Sequence, residues 1–177
     1  MSVSSSRCKE IAKAVDTGIG PRRSKGPTKQ LVNRNFTIRQ LTESELRDMV
    51  ELWKRARLSF RPKGRDRISS LRLQLSRDPE MFVGAFADGK MIAAAIGSDD
   101  GRRAWINRLA VDPSHRRKGV ALAMIEHFER VFRRRGRRLF CAHIEADNRP
   151  SMRLFEKAGY RRQTHIFYYA KRERPDY

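Results

Sequence analysis

The sequence predicts an α+β fold built on one sheet, and three observations carry that expectation. From Asn35 onward the apolar spacing switches between the two-residue period of strands and the 3.6-residue period of helices, in the order β-α-α-β-β-β-α-β-α-β. Two Asp-Gly steps, Asp88-Gly89 and Asp100-Gly101, separate three strand-like runs and mark tight antiparallel turns. A chain of 177 residues, 39% hydrophobic and 34% charged, is long enough for one core and short for two.

Each element has its own signal. "FTIRQL" alternates as a strand. "TESELRDMVELWKRARL" opens with the capping-box string Thr42, Glu43, Ser44, Glu45 and then spaces Leu46, Met49, Val50 and Trp53 along one helical face. A basic loop, "SFRPKGRD", leads to a second helical stretch, "RISSLRLQLSRD", stopped by Pro79. The meander "MFVGAFADGKMIAAAIGSDDGRRAWINRLAV" follows. The next helix carries Ala121, Ile125, Phe128 and Phe132 at helical spacing, gathers Arg133, Arg134 and Arg135 in its last turn and stops at Gly136. "RLFCAHIEAD" alternates again, "PSMRLFEKAG" is a short helix ending at Gly159, and "THIFYYAKR" is expected as a last strand.

Charge narrows the class of partner. The formal net charge is +20. Residues 1–34 carry eight Lys and Arg against Glu10 and Asp16, with little apolar periodicity, and are expected to be a flexible basic tail ahead of a domain spanning 35–177. That tail accounts for +6, so the folded part is itself strongly basic and favours phosphates, nucleic acid or anionic lipid headgroups. Cys8 and Cys141 lack metal-ligand spacing and a disulfide pattern, which fits a reducing compartment and no metal site. The longest apolar run, "MIAAAI", is far below the ~20 residues of a membrane helix, and no secretory pattern opens the chain. The expectation is a cytoplasmic protein without membrane contact.

The most informative string is "WINRLAVDPSHRRKGVALAM", where a strand passes through three cations and a glycine into a helix. Such a string reads as a solvated basic turn, a nucleic-acid patch, or a cradle for a phosphorylated ligand. The cradle has a physical basis. The first N–H groups of the helix after Gly119 have no internal partners and lie at the positive end of its dipole. Arg116, Arg117 and Lys118 add charge, while Gly119 and Ala121 let the backbone approach a pyrophosphate closely. The glycine spacing matches neither a nucleotide P-loop nor a dinucleotide fold.

"RLAVDPSHRRKGVALAMIEHFE" resembles the acetyl-CoA signature of the GNAT superfamily, the Gcn5-related N-acetyltransferases, with Arg116, Gly119 and Ala121 at its core positions. About thirty residues on, "EADNRPSMRLFEKAGYRR" is similar to the family's second signature, an Asn followed by a short helix and a Gly-aromatic pair. "GRD" at 64–66 and the "RLAVDP" opening further resemble small bacterial and archaeal members, the YpeA-like proteins. The resemblance implies a mixed, mostly antiparallel sheet flanked by helices, acetyl-CoA as co-substrate, and an amine acceptor it does not identify. It implies that Leu109, Ala110 and Val111 offer backbone groups to the pantetheine arm. Arg116, Arg117, Lys118, Gly119, Val120 and Ala121 would hold the pyrophosphate, Asn148 would bond the pantetheine, and Ser151 and Phe155 would line the thioester end. Asn148 before Pro150 is also a good helix cap, and Phe155 also suits a core.

The chemistry needs a neutral amine, a polarised carbonyl and a thiolate leaving group. The family's frequent acid is a Tyr where this chain has Phe155, and its frequent base is a carboxylate on a strand that here reads "AWINRLAV". The next strand is better supplied. Alternation puts Leu139, Cys141, His143 and Glu145 on one face. His143 stands where some relatives carry a catalytic Glu, and a neutral His accepts a proton near physiological pH. His143 is thus the first candidate base and Glu145 the second, against the reading of His143 as a packed strand residue. His115, His127 and His165 read as surface or packing residues, and Tyr160 as packing after the Gly159 turn.

Two functions follow: an acetyl-CoA-dependent N-acetyltransferase acting by direct transfer in a ternary complex, with the acceptor entering beside "SFRPKGRD", or a non-catalytic acetyl-CoA-binding or nucleic-acid-associated module of the same fold. The acceptor, small molecule or protein, and the oligomeric state have no signal here. The arginine cluster "RVFRRRGRRLF" suits a helix C-terminus, yet the charge as a whole would also attract anionic acceptors, nucleic acid or a ribosomal surface and repel polyamines.

Overall fold

The computed structural model describes residues 35–174, so the expected basic tail of residues 1–34 lies outside the described residues. Five strands form one sheet in the order β1-β2-β3-β4-β5: β1 Thr37–Gln40, β2 Phe82–Ala87, β3 Lys90–Asp99, β4 Ala104–Val111 and β5 Phe140–Cys141. The first four pair antiparallel in sequence order and β5 joins β4 parallel. The helices are α1 Leu46–Ala56, α2 Ile68–Arg77, α3 Val120–Arg134 and α4 Arg149–Lys157. Short 3₁₀ turns cover Glu43–Glu45, Pro79–Met81 and Pro113–His115. This is the mixed, mostly antiparallel α+β sheet expected from the sequence.

Six consecutive residues of β3, Ile92 to Gly97, are buried, which requires cover on both faces of the sheet. α1 packs on β3 and β4, and α3 packs on β2, β3 and β4. α1 presents Leu46, Met49, Leu52 and Trp53, with Leu52 taking the buried position expected of the half-buried Val50. α3 presents Val120, Ala123, Met124, Ile125, Phe128, Val131 and Phe132. The small residues of β3 let the helices close on it. A Cβ at Gly97 would fall 2.7 Å from Phe128 Cε1 and 2.8 Å from Met81 Sδ. Only hydrogen fits there, so Gly97 sets how near α3 approaches the sheet.

Two sequence expectations change in the structure. The strand from "RLFCAHIEAD" is confined to Phe140–Cys141, and residues 142–148 leave the sheet. The expected last strand, "THIFYYAKR", does not form among the described residues. Ile166, Phe167, Tyr168 and Tyr169 are 65–90% exposed. A strand holds its place by burying one face, and a two-residue β5 offers too short a ladder for a partner.

The arginines after α3 are held by carboxylates as well as by the helix dipole. Arg135 makes two 2.6 Å bonds to Asp78 and reaches Glu80 at 2.7 Å, Arg134 reaches Glu80 at 3.2 Å, and Arg137 reaches Asp99 at 2.6 Å. These pairs tie the C-terminal end of α3 to the α2–β2 connection and to the β3 end. Among the described residues no helix is long and apolar enough to cross a membrane.

The capping box forms at the start of the first helical segment. Glu45 Oε2 accepts the Thr42 N–H at 2.8 Å, and its carboxylate accepts two bonds from Arg39 at 2.6 and 3.0 Å, joining β1 to α1. The Arg39 guanidinium, aided by the Thr42 bonds, holds the Glu45 carboxyl at about 2, well below its ordinary 4.5. A depressed folded-state value means stability that is present above 4.5 and is lost as pH falls towards 2. Glu45→Gln is expected to cost about 1 kcal/mol at pH 7 and to weaken the loss of stability across that acid window. Urea titrations of both proteins at several pH values check it, and parallel pH profiles would contradict the assignment.

Candidate functional site

The site begins with a strand that loses its neighbour. β4 and β5 pair only at Ala104↔Phe140 and Trp105↔Cys141. From Ile106 to Val111, β4 has no strand on that side among the described residues, because the chain after Cys141 turns away. The two segments therefore part, and the β4 backbone lines one side of the opening.

A bulge sharpens this geometry. Asn107 opposes Ile96 but Ala110 opposes Ala94, so Arg108 and Leu109 together face the single residue Ala95. Arg108 takes φ of 51°, a left-handed conformation for which no glycine is supplied. Its side chain explains how that is sustained. Arg108 Nε and Nη2 bond the two oxygens of Asp66 at 3.1 and 2.9 Å, and Asp66 also accepts the Arg61 N–H at 2.6 Å. Asp66, 6% exposed, is the one buried charged side chain among the described residues. The α1–α2 loop, residues 57–67, is thereby fixed to the bulge.

Past the bulge, Leu109, Ala110 and Val111 end the strand, with Ala110 buried and its neighbours half-buried. Asp112 organises the turn. Its Oδ1 accepts from the Ser114 N–H and hydroxyl at 3.1 and 2.7 Å and its Oδ2 accepts from Arg55 at 3.1 Å, and these bonds, the Ser114 hydroxyl first, hold its carboxyl below the usual range. Arg116 folds back, donating to the Ala56 carbonyl at 3.0 Å and the Val111 carbonyl at 3.4 Å. Its side chain braces the turn against α1, while Arg117 and Lys118 stay exposed. Arg117 (φ 64°) and Gly119 (φ 78°) are both left-handed and deliver the chain into α3 with no side chain capping its first N–H groups. A Cβ at Gly119 would meet no atom within 4 Å, so the glycine is required by its backbone conformation rather than by crowding. Val120 is buried under the first turn and Ala121 is half-buried. The arrangement is a concave set of backbone donors at a positive helix end, which suits a pyrophosphate.

His143 and Glu145 stand exposed on the segment leaving β5. The His143 ring stacks on Trp105 at 4.5 Å and lies 5.0 Å from the Tyr168 ring. Asn148 is the N-cap of α4, its Oδ1 accepting the N–H of the half-buried Ser151 at 3.1 Å. Phe155 is 6% exposed and meets the Tyr160 ring edge-on at 5.0 Å. The Tyr160 hydroxyl is buried without a hydrogen-bond partner, and burial, with Glu129 nearby, raises its pKa. The cofactor candidates on β4 and the following turn are thus continuous, and the two catalytic candidates sit on the segment that parts from them. Local patterns do not report the pairing of Asp66 with Arg108, which lie 42 residues apart, nor the Trp105 stack.

Comparison with known proteins agrees with this geometry. The family model described as "Acetyltransferase (GNAT) family" matches residues 43–160. Acetyltransferase SG1711 of Sodalis glossinidius is 28% identical over 135 residues, 76% of this chain and 94% of that protein. Acetyltransferase YE1169 of Yersinia enterocolitica is 30% identical over 129 residues, 73% of this chain and 90% of its own. Among solved structures, the ribosomal-protein-S18-alanine N-acetyltransferase from Escherichia coli aligns with a TM-score of 0.59 at 25% identity, covering 73% of this chain and 79% of that one.

The anchor at Asp66 is open to direct measurement. Asp66→Ala leaves Arg108 without its carboxylate and is expected to destabilise the fold by about 3 kcal/mol, clearly more than Asp100→Ala, whose carboxylate caps an exposed turn. Hydrogen exchange of residues 58–67 should rise in the first variant. Equal stabilities in urea would show that the loop is held by other contacts.

Proposed function

The chain belongs to the acetyltransferase (GNAT) family, with acetyl-CoA as co-substrate, and on that premise we propose that it transfers the acetyl group directly to a primary amine within a ternary complex. The observation that carries this reading is the parting of β4 from β5 directly beside an uncapped α3 N-terminus. Backbone donors from Arg117 to Ala121 hold the pyrophosphate. Lys118 and Arg117 add charge at the mouth, and Arg116 keeps the turn in shape. The free edge of Leu109, Ala110 and Val111 pairs with the amide groups of the pantetheine arm as an added strand would. Asn148 has its Oδ1 committed to the α4 cap, so its amide N–H₂ is the group left to bond that arm. Ser151 and Phe155 border the same end.

Acetyl-CoA supplies the thioester. The amine nitrogen bonds to its carbonyl carbon, the carbon–sulfur bond breaks, and the nitrogen gives up a proton while coenzyme A leaves as the thiolate. His143 is the proton acceptor in this reading, its ring oriented by the Trp105 stack, and Glu145 on the same exposed face is the second choice. Phe155 has no proton to give, so the thiolate leaves without a side-chain acid from that position. A second reading, a binding module without turnover, is supported by that same Phe155, which is packed among core side chains.

Gly119→Glu is expected to abolish acetyl-CoA binding in calorimetry with the overall helix content in circular dichroism retained, since it strains the left-handed turn and adds bulk and a like charge where the pyrophosphate sits. Undiminished affinity would defeat the cofactor assignment. His143→Ala is expected to lower kcat by roughly 10²-fold, with acetyl-CoA affinity retained. Full activity would move the role to Glu145 or water. Tight acetyl-CoA binding with no turnover across amine classes would favour the second reading.

A further inference from the structure

The walls of the opening differ in charge, and the difference has a consequence for the acceptor. The loop of residues 57–67 runs along the exposed half of β4. At its start the Ala56 carbonyl takes the Arg116 guanidinium, and at its end Asp66 takes Arg108. Anything bound over residues 108–116 therefore has this loop as a wall. The loop carries Arg57, Arg61, Lys63, Arg65 and Arg67, all exposed, against Asp66 as its one carboxylate. That carboxylate is buried and engaged by Arg108 and the Arg61 N–H. Arg65 lies 4.0 Å from it and Arg67 bonds Ser70. Among the described residues no carboxylate pairs with Arg57, Arg61 or Lys63. This contrasts with the arginines at the end of α3, where Arg133, Arg134, Arg135 and Arg137 each have an acidic partner.

The segment leaving β5 has the opposite balance at its start. His143, Glu145 and Asp147 are exposed ahead of Arg149, so the segment that parts from β4 begins with carboxylates rather than with cations. A ligand between such walls is oriented by its own charges: amino end towards Glu145 and Asp147, anionic end towards the loop. We propose that the acceptor is an amine that also carries a carboxylate or phosphate, read by Arg57, Arg61 and Lys63 of the α1–α2 loop. This rests on the acetyl-transfer reading and names the substrate class for it. Polyamines and other polycationic amines fit the loop wall poorly, since every added positive charge faces unpaired cations.

Matched acceptors separate the alternatives. Glycyl-glutamate and glycyl-glutamine, both as C-terminal amides, share one amine and differ by one carboxylate, while 2-aminoethyl phosphate against ethanolamine tests phosphate. Transfer from acetyl-CoA is followed by thiol release, at low and at 0.5 M salt. The expected result is at least a tenfold higher kcat/KM for the glutamate peptide than for the glutamine peptide, or for 2-aminoethyl phosphate than for ethanolamine, and the pair that shows it identifies the anion. The preference should shrink in high salt and should reverse or vanish in Arg61→Glu/Lys63→Glu. The milder Lys63→Gln should reduce it in the same direction. Transfer without charge preference, or a preference untouched by the loop variants, would overturn this inference alone. Absence of transfer to every amine with acetyl-CoA still bound would overturn the transfer reading and this inference with it.

Discussion

The join between β4 and the α1–α2 loop depends on the ion pair between Asp66 and Arg108. Taking two charges out of water costs several kcal/mol for each ion, and their attraction offsets that only when the geometry is good and the remaining lone pairs are used. Here both carboxylate oxygens accept from one guanidinium, and a third bond comes from the Arg61 N–H. The pair is therefore better explained by what it positions than by net stability. It holds a left-handed arginine at a bulge, and the bulge resets the register of β4 just before Leu109, Ala110 and Val111. Without the clamp, the edge of β4 and the α1–α2 loop would each be free to move, and they would move independently.

The basic charge is divided between two roles. Around the α3 C-terminus it is structural: Asp78, Glu80 and Asp99 meet Arg135, Arg134 and Arg137, and the carboxyl groups of Glu80 and Asp99 are held below their usual range. Along the α1–α2 loop, Arg57, Arg61 and Lys63 have no such partner among the described residues and stand exposed. The same residue type thus serves as a tie where acids are supplied and as a field where they are withheld. Placement of twenty acidic residues, rather than that of forty basic ones, decides which is which.

Much of this was legible in the sequence, for identifiable reasons. The meander, the helix after Gly119 and the short helix after Asn148 are local: turn dipeptides, caps and periodic apolar residues report them without tertiary help, and the extents observed follow the patterns closely. The turn into α3 was legible because a left-handed residue at a helix start is announced by glycine, here Gly119. Arg108 and Arg117 adopt the same kind of conformation and announce nothing, since an arginine held there depends on its surroundings. "THIFYYAKR" failed in the opposite sense. Its alternation is strand-like, but a strand exists only where a neighbour accepts its hydrogen bonds, and β5 stops after two residues. The Asp66–Arg108 pair was invisible for a related reason: both residues look like members of basic, solvated runs until folding brings them together.

Phe155 shows how packing constrains chemistry. The family resemblance invites the idea that a hydroxyl at this position would restore a missing acid. In the structure the ring is buried and lies edge-on against Tyr160, whose own hydroxyl already lacks a partner. A second hydroxyl at this contact would either bury another unsatisfied donor, at a cost of about 1–3 kcal/mol, or turn outward and give up the edge contact. The phenol of Tyr160, with its pKa raised by burial, is in turn held in its neutral form. The C-terminal end of α4 is thus apolar by construction, and in the proposed reading, where Phe155 borders the thioester, that surface disfavours water. Excluding water protects an acetyl donor from hydrolysis. That benefit does not require a proton donor, and it makes departure of an unassisted thiolate compatible with a site that still discriminates amine from solvent.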